Sequence, residues 1–183
     1  MKKNFHIHIL QIGNSIKDVF ESVKLHLTTV FPSSYCTESF GNPEILREAY
    51  NPARKQYHST TILRNVNELM KHVRTDEILT VVDVDLYVPR LNFVFGEAQC
   101  PGRFAIISTY RLKPEFYGVG NGELFVSRVK KEAVHELGHV LGLIHCINPQ
   151  CVMYFSNSIF DTDYKGDQFC STCNKKIIEV LGK

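Results

Sequence analysis

HELGHVLGLIHC, running from His135 to Cys146, sets three histidines, a glutamate, two glycines and a cysteine within twelve residues. On an α-helix, positions i and i+4 lie one turn apart on the same face, so His135 and His139 can aim both imidazoles at one ion. Glu136 is adjacent in sequence but about 100° round the helix, where it borders the ion without ligating it. His145 follows six residues after His139 and could not reach that ion if the helix ran straight on. Gly142 supplies the break: glycine can take a positive φ, end the helix in a left-handed cap and swing His145 back. Three neutral imidazoles with one open position suit a tetrahedral zinc. An amphipathic helix with solvated histidines is the competing explanation. With 8 histidines and 11 glycines in 183 residues, the full pattern arises by chance about one time in ten thousand.

A zinc held this way lowers the pKa of its water to near 7, and Glu136 is placed to take the proton as that water attacks a carbonyl. A second group of metal-type residues follows at once. Cys146 is next to His145, Cys151 comes after four residues, and CSTC adds Cys170 and Cys173. Four thiolates in two close pairs fit a closed structural zinc, which would clamp the loop after the histidine helix. Such an arrangement would set two zinc ions per chain, bound from the adjacent residues His145 and Cys146. Cys36 and Cys100 lie apart from this group and are expected to be buried as small hydrophobes.

Composition narrows the setting. The chain is 44% hydrophobic and 22% charged, with a formal net charge of +2, which gives no basic surface for nucleic acid. The opening MKKNFHIHILQIG interrupts its apolar residues with His6 and His8, unlike a signal peptide, and no apolar run is long enough to span a bilayer. A cytoplasmic monomer is expected, in which disulfides are disfavoured and clustered cysteines bind metal.

The elements that must carry these residues read as an α/β (α+β) succession within one domain, 1–183, with a sheet-and-helix part over 1–122 and the histidine helix and cysteine segment over 123–183. Asn4 to Gly13 reads as a strand, followed by a helix with Ile16, Val19, Phe20, Val23 and Leu27 at helical spacing. YCTESFG is a second strand candidate, ARKQYHSTTILRNVNELMKH a helix, and EILTVVDVDLY a strand buried on both faces. Two β-rich runs flank Cys100-Pro101-Gly102, a hairpin that turns one strand antiparallel. The run Val94 to Ala98 is a candidate for pairing with an extended peptide, or a plain edge strand. GELFVSRVKKEAVHELGHVLGL forms a long helix with Phe125, Val129, Ala133, Val134, Leu137 and Leu141 on its apolar side. Past Gly142 the chain reads as loop until a short helix in CNKKIIEVLGK. Arg54, Gln56 and Tyr57 either face the cleft or play a solvated or structural part.

The pattern HExxHxxGxxH resembles the metzincin metallopeptidases, and Met153 fits the methionine that these place in a turn beneath the metal. The cysteine directly after the third histidine, the CVM that follows and the later CSTC are similar to the archaemetzincins, strongly from about Leu124 to Cys173. YNPARKQYHS and LNFVFGEA also look family-like. The resemblance implies a metzincin-like domain with a mixed, mostly parallel twisted sheet, one antiparallel edge strand at the cleft, a catalytic zinc, a four-cysteine zinc and peptidase activity. Where some metzincins carry a tyrosine ligand two residues past the methionine, this chain has Phe155, and Tyr154 is one residue early, so no tyrosine ligand is expected. No pro-segment with a cysteine switch is recognisable. The expected activity is hydrolysis of peptide or protein substrates with Glu136 as general base, endo- and aminopeptidase action both remaining open. A catalytically weak two-zinc protein that binds peptides or proteins is the alternative, disfavoured because a purely structural site needs no base. A zinc-finger-like module is weaker still, for want of basic charge beside the cysteines.

Overall fold

Parallel pairing organises most of the chain, because helices return it to the same end of the sheet. The computed structural model describes residues 4–13 and 17–182. β1 (Phe5–Ile12) leads into α1 (Lys17–Val30) and then β2 (Ser34–Gly41), which lies parallel beside β1. β5 (Glu77–Val82) and β8 (Phe104–Ser108) extend the parallel run. β7 (Gly96–Ala98) closes the order β2-β1-β5-β8-β7 as the antiparallel edge. The mostly parallel sheet with one antiparallel edge strand matches the sequence expectation. Ile16, expected on the apolar side of α1, lies outside the described residues.

Each face of the sheet has its own core. Ile7, Ile9, Leu79, Val81, Ala105 and Ile107 pack against Val19, Val23 and Leu27 of α1 and against Val129, Ala133 and Leu137 of α3 (Gly122–Val140). On the other face Leu10, Ile78, Val82 and Ile106 meet Ile62, Leu63, Val66 and Met70 of α2 (Ser59–Met70). Every residue of β5 is therefore buried, as its continuous apolar run requires. Each such side chain contributes about 1.5–3 kcal/mol of transfer free energy.

Four segments depart from the sequence reading. The helix expected from Ala53 begins only at Ser59: a turn on the Asn51 side chain and a strand pairing take the residues before it. β4 (Gln56–His58) pairs with β3 (Tyr50–Asn51) and β6 (Leu86–Tyr87) in a separate three-stranded sheet. The run EILTVVDVDLY accordingly breaks at Asp83–Asp85, whose carboxylates bind Thr109, Lys113 and Arg111 instead of continuing the ladder. The segment after Gly142 is not all loop, since α4 (Ile159–Tyr164) forms there behind a Ser158–Asp161 capping box and α5 (Ser171–Leu181) starts two residues before Cys173. Finally, Cys100 is exposed rather than buried, because its turn stands at the cleft edge with the thiol toward Leu143 O at 3.6 Å, whereas Cys36 is half-buried against the core.

Candidate active site and metal centres

α3 starts where Asn121 caps the Leu124 N–H, and it ends where Gly142 takes φ +87°. Leu143 N then donates to Gly138 O at 2.9 Å, closing the turn that brings His145 back over the helix end. The ring centroids of His135, His139 and His145 lie 4.7, 5.4 and 4.8 Å apart, and one nitrogen from each falls within 4.8 Å of the others.

Two backbone contacts decide what these nitrogens can do. His135 Nδ1 lies 2.8 Å from Val152 O and His139 Nδ1 2.7 Å from Leu143 O. A carbonyl only accepts, so both Nδ1 atoms carry the proton and both Nε2 atoms are bare lone pairs. Those lone pairs face each other at 3.1 Å with no hydrogen to share. A cation between them removes the repulsion, and two ligands on a tetrahedral zinc at about 2.05 Å stand about 3.3 Å apart. The donor set therefore fits zinc. Burial pushes all three imidazoles below the usual histidine range, most for His135, which Lys165 and His139 depress further, and this keeps them neutral and ready to ligate.

Glu136 is buried, and burial together with the nearby Glu132 carboxylate holds its carboxyl well above the usual range, with Lys165 opposing. It sits against the edge strand at a position that only glycine leaves open. A Cβ on Gly96 would stand 2.6 Å from Glu136 Oε1 and 2.7 Å from Ile106 O. Beside it runs a cleft of about 580 Å³ lined by Phe93, Phe95 and Ala98 on one side and by Glu132, His139, His145 and Phe155 on the other.

The turn Cys151–Tyr154, closed by Tyr154 N to Cys151 O at 2.9 Å, ties both clusters together. Its Val152 O holds His135, and its Met153 O accepts from Cys146 N at 2.9 Å. Met153 itself is buried against α3, where a Cβ on Gly138 would come 2.5 Å from its sulphur. The Phe155 ring lies tilted against that of His145, centroids 4.7 Å apart, and offers no ligand atom. The sulphurs of Cys146, Cys151, Cys170 and Cys173 lie within 4.8 Å of one another, and none is in a disulfide. Cys146 Sγ is 3.8 Å from Cys170 Sγ, against about 3.8 Å for two thiolates on a tetrahedral zinc with 2.3 Å bonds. The Cys173 N–H lowers the Cys170 thiol to about 7, while burial raises Cys151 and Cys173. This set too fits zinc.

Sequence reasoning passed over several residues here. Lys165 is 1% exposed, with Nζ 3.0 Å from Glu132 Oε1 and 3.4 Å from His135 Nδ1, and nothing in its local sequence marks it. Glu132 also accepts from Thr162 Oγ1 at 3.1 Å, and its place one turn before Glu136 was a signal available to helical spacing.

A mostly parallel sheet, an antiparallel strand along the cleft and two converging donor sets describe a zinc-dependent metallopeptidase. The model of peptidase family M54 matches residues 2–179, and the chain belongs to that family. Its relatives include the archaemetzincin of Methanocaldococcus jannaschii, 49% identical over 147 residues, covering 76% of this chain and 79% of the relative. Among solved structures, archaemetzincin from Methanopyrus kandleri superposes with a TM-score of 0.85 at 31% identity, covering 98% of this chain and 97% of that one. Archaemetzincin from Archaeoglobus fulgidus, complexed with malonate, gives 0.80 at 37% identity over 94% and 99%.

Proposed function

We propose that this chain hydrolyses peptide bonds with Glu136 as general base, at a zinc held by His135, His139 and His145. The observation that carries the reading is the pair of facing Nε2 lone pairs, with the Glu136 carboxylate on the same helix, opening on a peptide-sized cleft. Zinc bound there would supply Lewis acidity and bring the pKa of its water toward neutrality. Glu136 accepts a proton at its carboxylate and passes it to the departing amine. An extended substrate pairs with β7. Phe95 and Gln99 direct their backbone groups to Ser108 and Phe104, and the alternation of an antiparallel ladder then turns those of Gly96 and Ala98 outward. Met153 supports the site from below. Cys146, Cys151, Cys170 and Cys173 hold a second, structural zinc, and a reducing cytoplasm keeps their thiols available to it. Residues 1–183 act as one monomeric metallopeptidase domain, 1–122 supplying the sheet-and-helix part and 123–183 the histidine helix, the Met153 turn and the cysteine segment. Among the described residues no helix is long and apolar enough to cross a membrane.

The test incubates zinc-loaded wild type and Glu136→Ala with a diverse peptide library and reads new termini by mass spectrometry. Cleavage by wild type that vanishes in the variant is expected. Equal cleavage by both removes Glu136 from its role, and no cleavage by either, with zinc bound, leaves a binding protein.

A further inference from the structure

Residues 88 to 95 carry most of the cleft wall opposite α3, with Val88, Leu91, Asn92, Phe93, Val94 and Phe95 all lining it. Val94 and Phe95 are tied into the sheets through Leu86 O and Ser108 N. The residues before them are irregular, and Arg90 takes φ +74°. What fixes them is a chain of side chains from three other segments. Arg54 Nη2 donates to Leu91 O at 2.9 Å and Asn92 O at 3.0 Å, while its Nε donates to Gln56 Oε1 at 2.8 Å. Gln56 Nε2 donates to the same Asn92 O at 2.8 Å and to Asp85 Oδ2 at 3.1 Å. Arg111 grips Asp85 with two bonds of 2.6 and 2.7 Å, and its guanidinium lies 4.3 Å over the Phe93 ring.

Gln56 is 6% exposed, so these are the partners of a buried amide, not of a solvated one. The Arg54 fork holds two successive carbonyls and an amide oxygen at once, a geometry that an ammonium cannot reproduce. None of these bonds touches the histidine helix or the cysteine cluster. The brace therefore acts on one side of the cleft only.

We propose that Arg54, Gln56 and Arg111, linked through the Gln56 amide and the Asp85 carboxylate, are positioning residues that set the width of the substrate cleft by holding the 88–95 wall, an inference that rests on the peptidase reading. They do not touch the reacting atoms. They fix how far the wall stands from Glu136 and the histidines, and so which substrate side chains fit between.

Gln56→Met keeps the volume and removes every hydrogen bond of the amide. Arg54→Lys, at an exposed position, keeps the charge and loses the fork. For both, with zinc loaded, hydrogen exchange, zinc content and steady-state kinetics on peptides that wild type cleaves are compared with wild type. Expected is faster exchange confined to the amides of 88–95, unchanged zinc, and a KM raised about tenfold with kcat within about twofold, the effect of losing one to two hydrogen bonds. Unchanged exchange at 88–95, loss of zinc, or a fall in kcat at constant KM would overturn the proposal. If Gln56→Met does not fold, Arg54→Lys carries the same readouts. Exchange and zinc content need no substrate, so they decide the brace even where wild type cleaves nothing, an outcome that overturns the peptidase reading instead.

Discussion

Gly96 shows how a single missing side chain sets the chemistry. The edge strand approaches α3 closely enough that a methyl group there would meet both Glu136 Oε1 and the Ile106 carbonyl, so either the carboxylate or the strand must move. Displacement of a proton acceptor by about 1 Å can cost a hundredfold in rate. Gly96→Ala is thus expected to lower kcat about that much while zinc content stays at the wild-type level. A variant that kept full kcat would mean that Glu136 does not need the space. Lys165 makes the opposite point, since a buried charge must be answered. Its ammonium neutralises Glu132 beneath the site, and removing one partner of such a pair costs about 3–5 kcal/mol. Lys165→Met should lose stability on that scale in chemical denaturation, and adding Glu132→Gln should restore part of it. Additive losses would show that the two charges are not coupled.

At the scale of elements, β5 begins with a carboxylate in the wrong medium. Burial, reinforced by Asp76 and opposed by Arg103, lifts Glu77 to about 8 from 4.5, and its Oε2 has no hydrogen-bond partner. Between those values the folded chain keeps a proton that the unfolded chain gives up. The contribution of Glu77 is therefore complete below about pH 4.5 and is lost as pH rises to about 8. Glu77→Gln stays neutral throughout, so its stability relative to wild type should rise across pH 5–8 by up to about 1.4 kcal/mol per unit. Parallel melting curves of the two proteins across that range would expose a flat difference if the carboxyl titrates normally. The elements also mark what could be read from the sequence. α3, its glycine break and the gathering of the three histidines and of the four cysteines were legible because their spacing is largely local: i, i+4, a glycine and a return for the one, two close pairs for the other. The α2 boundary was not, because Gln56 and Tyr57 pair with Asn51 and Tyr50 across a turn too short to show a period, and Tyr57 and His58 pair with Leu86 and Tyr87, a distant partner that no local periodicity encodes. The same distance hid the brace and Lys165. Six-residue α4 was missed since it shows too few turns for a period, although Ser158 and Asp161 spell a capping box.

For the molecule as a whole, the two donor sets are one construction, since His145 and Cys146 share a peptide bond and Met153 O receives the Cys146 N–H. Cys170→Ser should remove about one zinc per chain. It should lower the melting temperature by roughly 10 °C or more, taking several kcal/mol for the lost site at about 2–4 °C each. Activity should fall with it, because the His145 loop loses its anchor. Metal analysis beside calorimetry checks this, and a variant with one zinc fewer but wild-type melting and turnover would uncouple the two centres. The same adjacency has a meaning for a chain still being made. His145 leaves the ribosome about 28 residues ahead of Cys173, a second or more at typical rates of synthesis. During that interval the four-cysteine set is incomplete, so the loop that carries His145 is held only by its own turn and by Met153 O.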